Sequence, residues 1–291
     1  MDLDEDAGSA PQGRPERPTD EPIAPVPASQ GLVRSARRLL RRKERVAAGE
    51  FLAEGRQAVT EALRRPGVIS NLLVAQSAVE RHQDLLASAV AAGVPVGSVA
   101  DAQLATLADT VTPQGVLAVC RTVDVSLQEA LAGQPRLVVV CDQVRDPGNL
   151  GTVIRCADAF GADAVLVTRG SVDLWNAKTV RASTGSVFHL PVAVEVDLVD
   201  VVIRARELGL VVYGADGGGA ATVDDLALTG QLTRPVLWVM GNEAWGLPPE
   251  HVDLVDALVA LPMYGQAESL NLSTAAAVFL YATATAQRSA S

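Results

Sequence analysis

The sequence predicts an α/β protein whose larger part is a mainly parallel, doubly wound sheet, with a smaller α/β unit ahead of it. Three observations carry this. Leu137–Cys141 is an unbroken apolar run, the pattern of a parallel strand covered on both faces. Similar short runs recur at 164–168, 187–192, 210–214, 236–240 and 257–261, with helical patterns at 150–160, 176–183, 198–208 and 249–255 between them. The composition, 48% hydrophobic and 20% charged over 291 residues, is that of a soluble chain long enough for two cores. Aromatic residues make up only 3%, so those cores must be built from Val, Leu, Ile and Ala.

Taken in chain order, residues 1–30 are rich in Pro, Asp, Glu, Gly and Ser and read as a disordered tail. They carry seven acids against Arg14 and Arg17, and they lack the apolar core of a secretory signal. Residues 31–45 form a basic segment, in which Arg34, Arg37, Arg38, Arg41, Arg42, Lys43 and Arg45 face Glu44 alone. Such a density of cations can track a phosphate backbone, or it can simply be a solvated helical face. A small unit at 46–122 follows, with a helix at 49–63, a strand at 68–75, a helix at 84–92, a strand at 94–99, a helix at 101–108 and a strand at 115–121. A linker at 123–135 leads to the larger sheet at 136–291.

Several classes of function are set aside. Cys120, Cys141 and Cys156 are odd in number and have no CxxC spacing, so they read as reduced, buried thiols. His82, His189 and His251 are scattered, and no metal site is expected. The uncharged stretch at 269–287 has the length of a membrane span. It is rich in Ala, Thr and Ser and begins near Asn271, which favours a helix buried in the fold or at a dimer interface. A cytoplasmic location is expected. Net charge of -10 is unusual for a binder of nucleic acid, but the acids are concentrated in the tail and the cations beside it.

Three turns carry uncharged polar groups suited to gripping a small ligand and one nucleotide. Asp146-Pro147-Gly148-Asn149 breaks a strand and opens a helix that carries Arg155 nearly two turns on, within expected reach of the same end. Alone, this turn would be read as a capping Asn and a surface Arg. Gly241-Asn242-Glu243-Ala244-Trp245-Gly246-Leu247-Pro248 places an acid between glycines that permit a tight turn. Leu261-Pro262-Met263 and Ser269-Leu270-Asn271 supply apolar walls and hydrogen-bonding groups ahead of a long Ala-rich helix. Gly214-Ala215-Asp216-Gly217-Gly218-Gly219 matches neither GxGxxG nor a P-loop and reads as a loop lining the ligand site.

In this order the three turns resemble motifs 1, 2 and 3 of the SpoU (TrmH) family of RNA ribose 2'-O-methyltransferases, over roughly 137–287. Phe51-Leu52-Ala53-Glu54-Gly55 and Pro113-Gln114-Gly115-Val116 resemble the ends of the ribosomal-protein-like substrate-binding domain that precedes many such catalytic domains. The resemblance implies a SPOUT-type parallel sheet with a C-terminal trefoil knot, S-adenosylmethionine as methyl donor, an RNA substrate and a homodimer. It places Gly241, Leu261 and Leu270 against the donor, with Met263 as a further apolar contact. Asn149, Arg155, Glu243, Ser269 and Asn271 are then the candidate catalytic residues. The family proposal makes Arg155 the proton acceptor; since guanidinium stays protonated, it can instead position the hydroxyl or a phosphate. The implied activity is 2'-O-methylation of ribosomal RNA, 23S foremost. A tRNA methyltransferase, or an rRNA methyltransferase conferring resistance to a ribosome-targeting antibiotic, remains the alternative.

Overall fold

The computed structural model describes residues 22–290. Two sheets organise it. The first has five strands: β1 (Val26–Pro27), β2 (Glu50–Glu54), β3 (Ile69–Ala75), β4 (Val96–Val99) and β5 (Val116–Arg121), in the order β1-β4-β3-β5-β2. β5 runs antiparallel to both β3 and β2, while β1 and β3 flank β4 in parallel. The second has seven: β6 (Leu137–Cys141), β7 (Ala164–Thr168), β8 (Val192–Val196), β9 (Val211–Ala215), β10 (Ala221–Thr222), β11 (Val236–Met240) and β12 (Ala257–Ala260). Their order is β10-β12-β9-β11-β6-β7-β8 and every pairing is parallel.

Alternation along the central strands shows why their sequences are continuously apolar. Leu137, Val139 and Cys141 of β6 join one buried cluster, and Val138 and Val140 join the other. Val236, Trp238 and Met240 of β11 likewise face away from Leu237 and Val239. Helices Pro147–Phe160 and Leu272–Ser289 cover the first face through Leu150, Val153, Ile154, Phe279 and Leu280. Helix Leu198–Glu207 covers the second through Val201, Val202 and Ala205. Trp238 is fully buried against Phe279, and its indole N–H donates to Thr283 at 2.9 Å.

The chain places β7 and β8 on one side of β6, then crosses to β9 on the other, with β11 inserted between. Ligands in such sheets bind outside the carboxyl ends of the strands where the winding reverses. Here that point is the ends of β6 and β11, from which the first and second motif turns leave.

Several expectations need correction. Residues 1–21 of the expected tail lie outside the described residues. Residues 22–30 are structured: Val26 and Pro27 pair with Gly97 and Ser98, Gln83 hydrogen-bonds both backbone groups of Ile23, and Ser29 caps helix Gln30–Arg38. The basic segment forms helices Gln30–Arg38 and Arg42–Ala48, and Val33, Ala36 and Leu39 anchor it in the core. Within the expected helix at 49–63, Glu50–Glu54 is instead a strand, ended by Gly55 at φ +92° before helix Arg56–Leu63. The expected strand at 187–192 begins only at Val192, because Ser186–Phe188 forms a tight turn of helix and Pro191 precedes the strand. The expected linker packs on the larger sheet, where Val125 pairs with Ala193 and Leu131 is fully buried.

The two sheets are joined tightly. Phe51 stacks on Trp175 with ring centroids 4.2 Å apart, and Trp175 donates to Asp124 at 2.8 Å. Arg45, only 6% exposed, donates to Asp173 through Nε at 3.0 Å and to the Leu39 carbonyl at 2.8 Å. His189 sits between Asp158, at 2.7 Å, and the buried Glu61 of the smaller unit, at 3.2 Å.

Candidate active site

A cleft of about 580 Å³ opens at the ends of β9 and β11, where Ala215 and Met240 line it. Asn149, Gly241, Glu243, Leu261, Met263, Ser269, Leu270 and Asn271 all line it. Eight of the nine residues proposed from the sequence therefore meet in one place, although they span more than 120 positions. The volume falls within the range of about 300–1,000 Å³ usual for small-molecule sites.

Asn149 is the hub of the polar side. Its Nδ2 donates to Glu243 Oε1 at 3.0 Å, and its Oδ1 accepts from Asn271 Nδ2 at 3.0 Å. Asn149 is not the helix cap. Asp146 takes that role by accepting from the Asn149 backbone N–H at 2.8 Å, which leaves the Asn149 amide free to face the cleft. Asn271 caps the last helix, accepting from Ser273 N–H at 2.9 Å, and uses its amide on Asn149.

Glu243 is exposed on the second turn yet heavily engaged. Besides Asn149, the backbone N–H groups of Arg145 and Asp146 donate to its carboxylate, each at 3.2 Å. Partial burial pushes the carboxyl up, but the bond from Asn149 and those from the backbone outweigh it, and the net shift is down. Glu243 is thus a carboxylate at neutral pH, an acceptor that orients its neighbours.

The apolar side is formed by Leu261, Met263, Leu270, Ala275 and Phe279. Gly241 is required by close approach, since a Cβ there would lie 2.5 Å from the Gly246 carbonyl carbon. Ala215, Asp216 and Gly217 of the glycine-rich loop also line the cleft.

Arg155 is placed elsewhere. It is exposed, does not line the cleft, and has no hydrogen-bond or ion-pair partner among the described residues. Six residues along an α-helix fall about 120° short of two full turns, so Arg155 leaves the helix on a different side from Asn149. Sequence reasoning missed Asn242 and Phe279 as lining residues. Asn242 could have been found from its place between Gly241 and Glu243. Phe279 carried no local signal, lying two turns inside a helix.

Two family models match the chain. A model of the SpoU rRNA Methylase family matches residues 136–281, and a model of the MRM3-like substrate binding domain matches residues 31–118. The chain belongs to the SpoU rRNA methylase family. Among SpoU relatives, the 23S rRNA (guanosine(2553)-2'-O)-methyltransferase RlmP of Bacillus subtilis is 34% identical over 249 residues, covering 86% of this chain and 94% of that one. The 23S rRNA (uridine(2479)-2'-O)-methyltransferase of Streptomyces viridochromogenes is 40% identical over 151 residues, half of each chain (50% and 51%). Among solved structures, the SpoU methyltransferase AviRb from Streptomyces viridochromogenes, in complex with the cofactor AdoMet, superposes with a TM-score of 0.76 at 32% identity. That match covers 90% of this chain and 100% of AviRb. An AdoMet-bound rRNA methyltransferase from Sinorhizobium meliloti superposes with a TM-score of 0.73 at 32% identity, covering 89% and 97%.

Proposed function

We propose that this SpoU protein transfers a methyl group from S-adenosylmethionine to a ribose 2'-hydroxyl of ribosomal RNA, 23S rRNA being the substrate class. The observation that carries the proposal is the linked Glu243–Asn149–Asn271 set at the edge of a cleft with apolar walls.

The residues fit the donor. Leu261, Met263, Leu270 and Phe279 suit the flat adenine and the thioether-like chain, and Gly241, having no side chain, leaves its backbone uncovered at the cleft wall. When bound, S-adenosylmethionine supplies an electrophilic methyl group on sulfonium. Asn149 and Asn271 offer the amide groups that orient the incoming ribose hydroxyl, and Glu243 fixes the Asn149 amide in one rotamer. Holding the hydroxyl in line with the methyl group supplies much of the rate through proximity. Ser269 adds a hydroxyl at the cleft wall. Arg155, outside the cleft, acts from the RNA side on a phosphate or on the hydroxyl. A buried thiol is no base here, as burial pushes that of Cys141 up to about 12.

The smaller sheet and the helices Gln30–Arg38 and Arg42–Ala48 form the RNA-binding part. Arg34, Arg37, Arg41 and Lys43 are exposed there with no ion pair among the described residues, so they are available to phosphates. Self-association through helices Pro147–Phe160 and Leu272–Ser289 belongs to the same reading. Val278 and Tyr281 are 40% and 59% exposed, and Tyr281 meets Phe160 edge-on at 5.6 Å. So does the trefoil knot, with the segments 241–248 and 261–271 as the ones it would entwine. The protein acts in the cytoplasm, where ribosomes are assembled; no described helix is long and apolar enough to cross a membrane.

Incubation of the purified protein with methyl-labelled donor and either 23S rRNA or tRNA tests the proposal. Label in a single 2'-O-methylated nucleotide of 23S rRNA is expected. Label in tRNA alone would shift the substrate class, and label in neither would remove the activity.

A further inference from the structure

Beside the cleft lies a polar frame built around one fully buried carboxylate. Asp142, immediately after β6, is fully buried. Its Oδ1 accepts from the Thr168 hydroxyl at 2.8 Å, and its Oδ2 is 2.6 Å from Nδ1 of His251 on the short helix Pro249–Val252. Its backbone N–H donates to the Met240 carbonyl at 2.8 Å. The next residue, Gln143, has φ of +53°, a conformation that a residue with a side chain adopts only when its surroundings impose it. Its N–H donates to Thr168 Oγ1 at 3.0 Å, and its carbonyl accepts from Asn242 Nδ2 at 2.7 Å. Asn242, in turn, closes the second turn by pairing with Gly246 in both directions at 2.9 Å.

The 142–146 segment is thus buckled to the second turn and the short helix after it at three places: Asp142 to His251, Gln143 to Asn242, and the 145–146 amides to Glu243. The third link belongs to the reacting site. The first lies deepest and is the only one of the three that passes through a residue beyond the second turn. A buried carboxylate is costly unless its lone pairs are satisfied, so this pair would be a poor way merely to fill the core. A hydrophobic pair would pack the same volume without fixing the path of 142–146.

We infer that His251 and Asp142 are positioning residues for methyl transfer. They set the 142–146 segment so that its amides and Asn149 hold the Glu243 carboxylate, and through it the Asn149 amide, in the orientation the reaction needs. The inference rests on the methyltransferase reading above and touches neither donor nor RNA directly.

The test is a mutant cycle on the full-length protein, reading methyl transfer to 23S rRNA, donor KM and Tm. Asp142→Asn and His251→Leu should each lower kcat about 10- to 100-fold, the scale of a misplaced reacting group, with donor KM changed less than about threefold. In a Glu243→Ala background the same substitutions should cost less than about twofold more, because they act through the group already removed. His251→Asn keeps a donor near the Nδ1 position and should recover most of the rate. Asp142→Asn preserves shape if His251→Leu fails to fold. Full activity of Asp142→Asn or of His251→Leu overturns the inference, as does an undiminished loss in the Glu243→Ala background. No transfer by the unmodified protein would instead sink the methyltransferase reading and this inference with it.

Discussion

Asn149 and Asn271 stand 122 positions apart in the chain, and their side chains meet through a 3.0 Å hydrogen bond at the edge of the cleft. One belongs to the helix after β6, the other caps the last helix. Their contact ties the first motif to the third, and the Glu243 carboxylate on the other side of Asn149 brings in the second.

Asn149→Ala removes both links at once. Methyl transfer should fall by at least about 100-fold, as expected when the group orienting a nucleophile is lost. Because Asp146 is the cap and Asn149 is only half-buried, the fold should lose about 1 kcal/mol or less, a Tm change of about 2–4 °C. Parallel rate and calorimetric measurements separate the two effects. A variant with unchanged turnover would take Asn149 out of the site.

Arg155→Ala should leave donor affinity unchanged, since Arg155 does not line the cleft, while transfer to RNA collapses. Donor titration by calorimetry beside a single-turnover transfer assay reads both. Weakened donor binding with normal transfer would reverse the assignment.

His189 couples the two sheets in a pH-dependent way. Burial pulls its imidazole down, but the hydrogen bonds with Asp158 and Glu61 outweigh this and leave it raised. A raised histidine contributes stability that is fully present below the unfolded value of about 6.5 and is lost as pH rises through the folded value. The junction should therefore loosen on the alkaline side of that window, seen as faster cleavage between the sheets in limited proteolysis. His189→Gln should flatten the profile. An identical pH profile in the variant would contradict the coupling.

The basic helices give a graded prediction. Their apolar faces are in the core, so truncating them would damage the fold, whereas Arg34, Arg37, Arg41 and Lys43 can be changed to Gln at the surface. Each cation that neutralises a phosphate of unpaired RNA contributes about 0.7 to the salt slope of binding. The fourfold variant should bind rRNA more weakly and with a shallower slope, while deletion of residues 1–21 leaves affinity unchanged. Equal salt slopes in the fourfold variant and the intact protein would remove this face from RNA binding.

Much of this was legible in the sequence, for physical reasons. Leu137–Cys141, Ala164–Thr168 and Val236–Met240 are strands residue for residue as expected, because burial on both faces writes an unbroken apolar run. Glu50–Glu54 was obscured because its strand character comes from pairing with β5, some 65 residues away, and not from local preference. The cleft residues could be gathered only through the resemblance of three distant turns. The frame beside them could not, since nothing local to Asp142 or His251 shows that one is fully buried and the other lies 2.6 Å from it. Arg155 lies off the cleft because six residues of helix turn it about 120° away from the direction of Asn149.

The most direct measurement is to map the product after reaction of the intact protein and of Asn149→Ala with labelled donor and 23S rRNA. One labelled ribose, resistant to alkaline cleavage at its 3' phosphate, is expected, with no label from the variant. Label on a base, or equal labelling by both proteins, would contradict it.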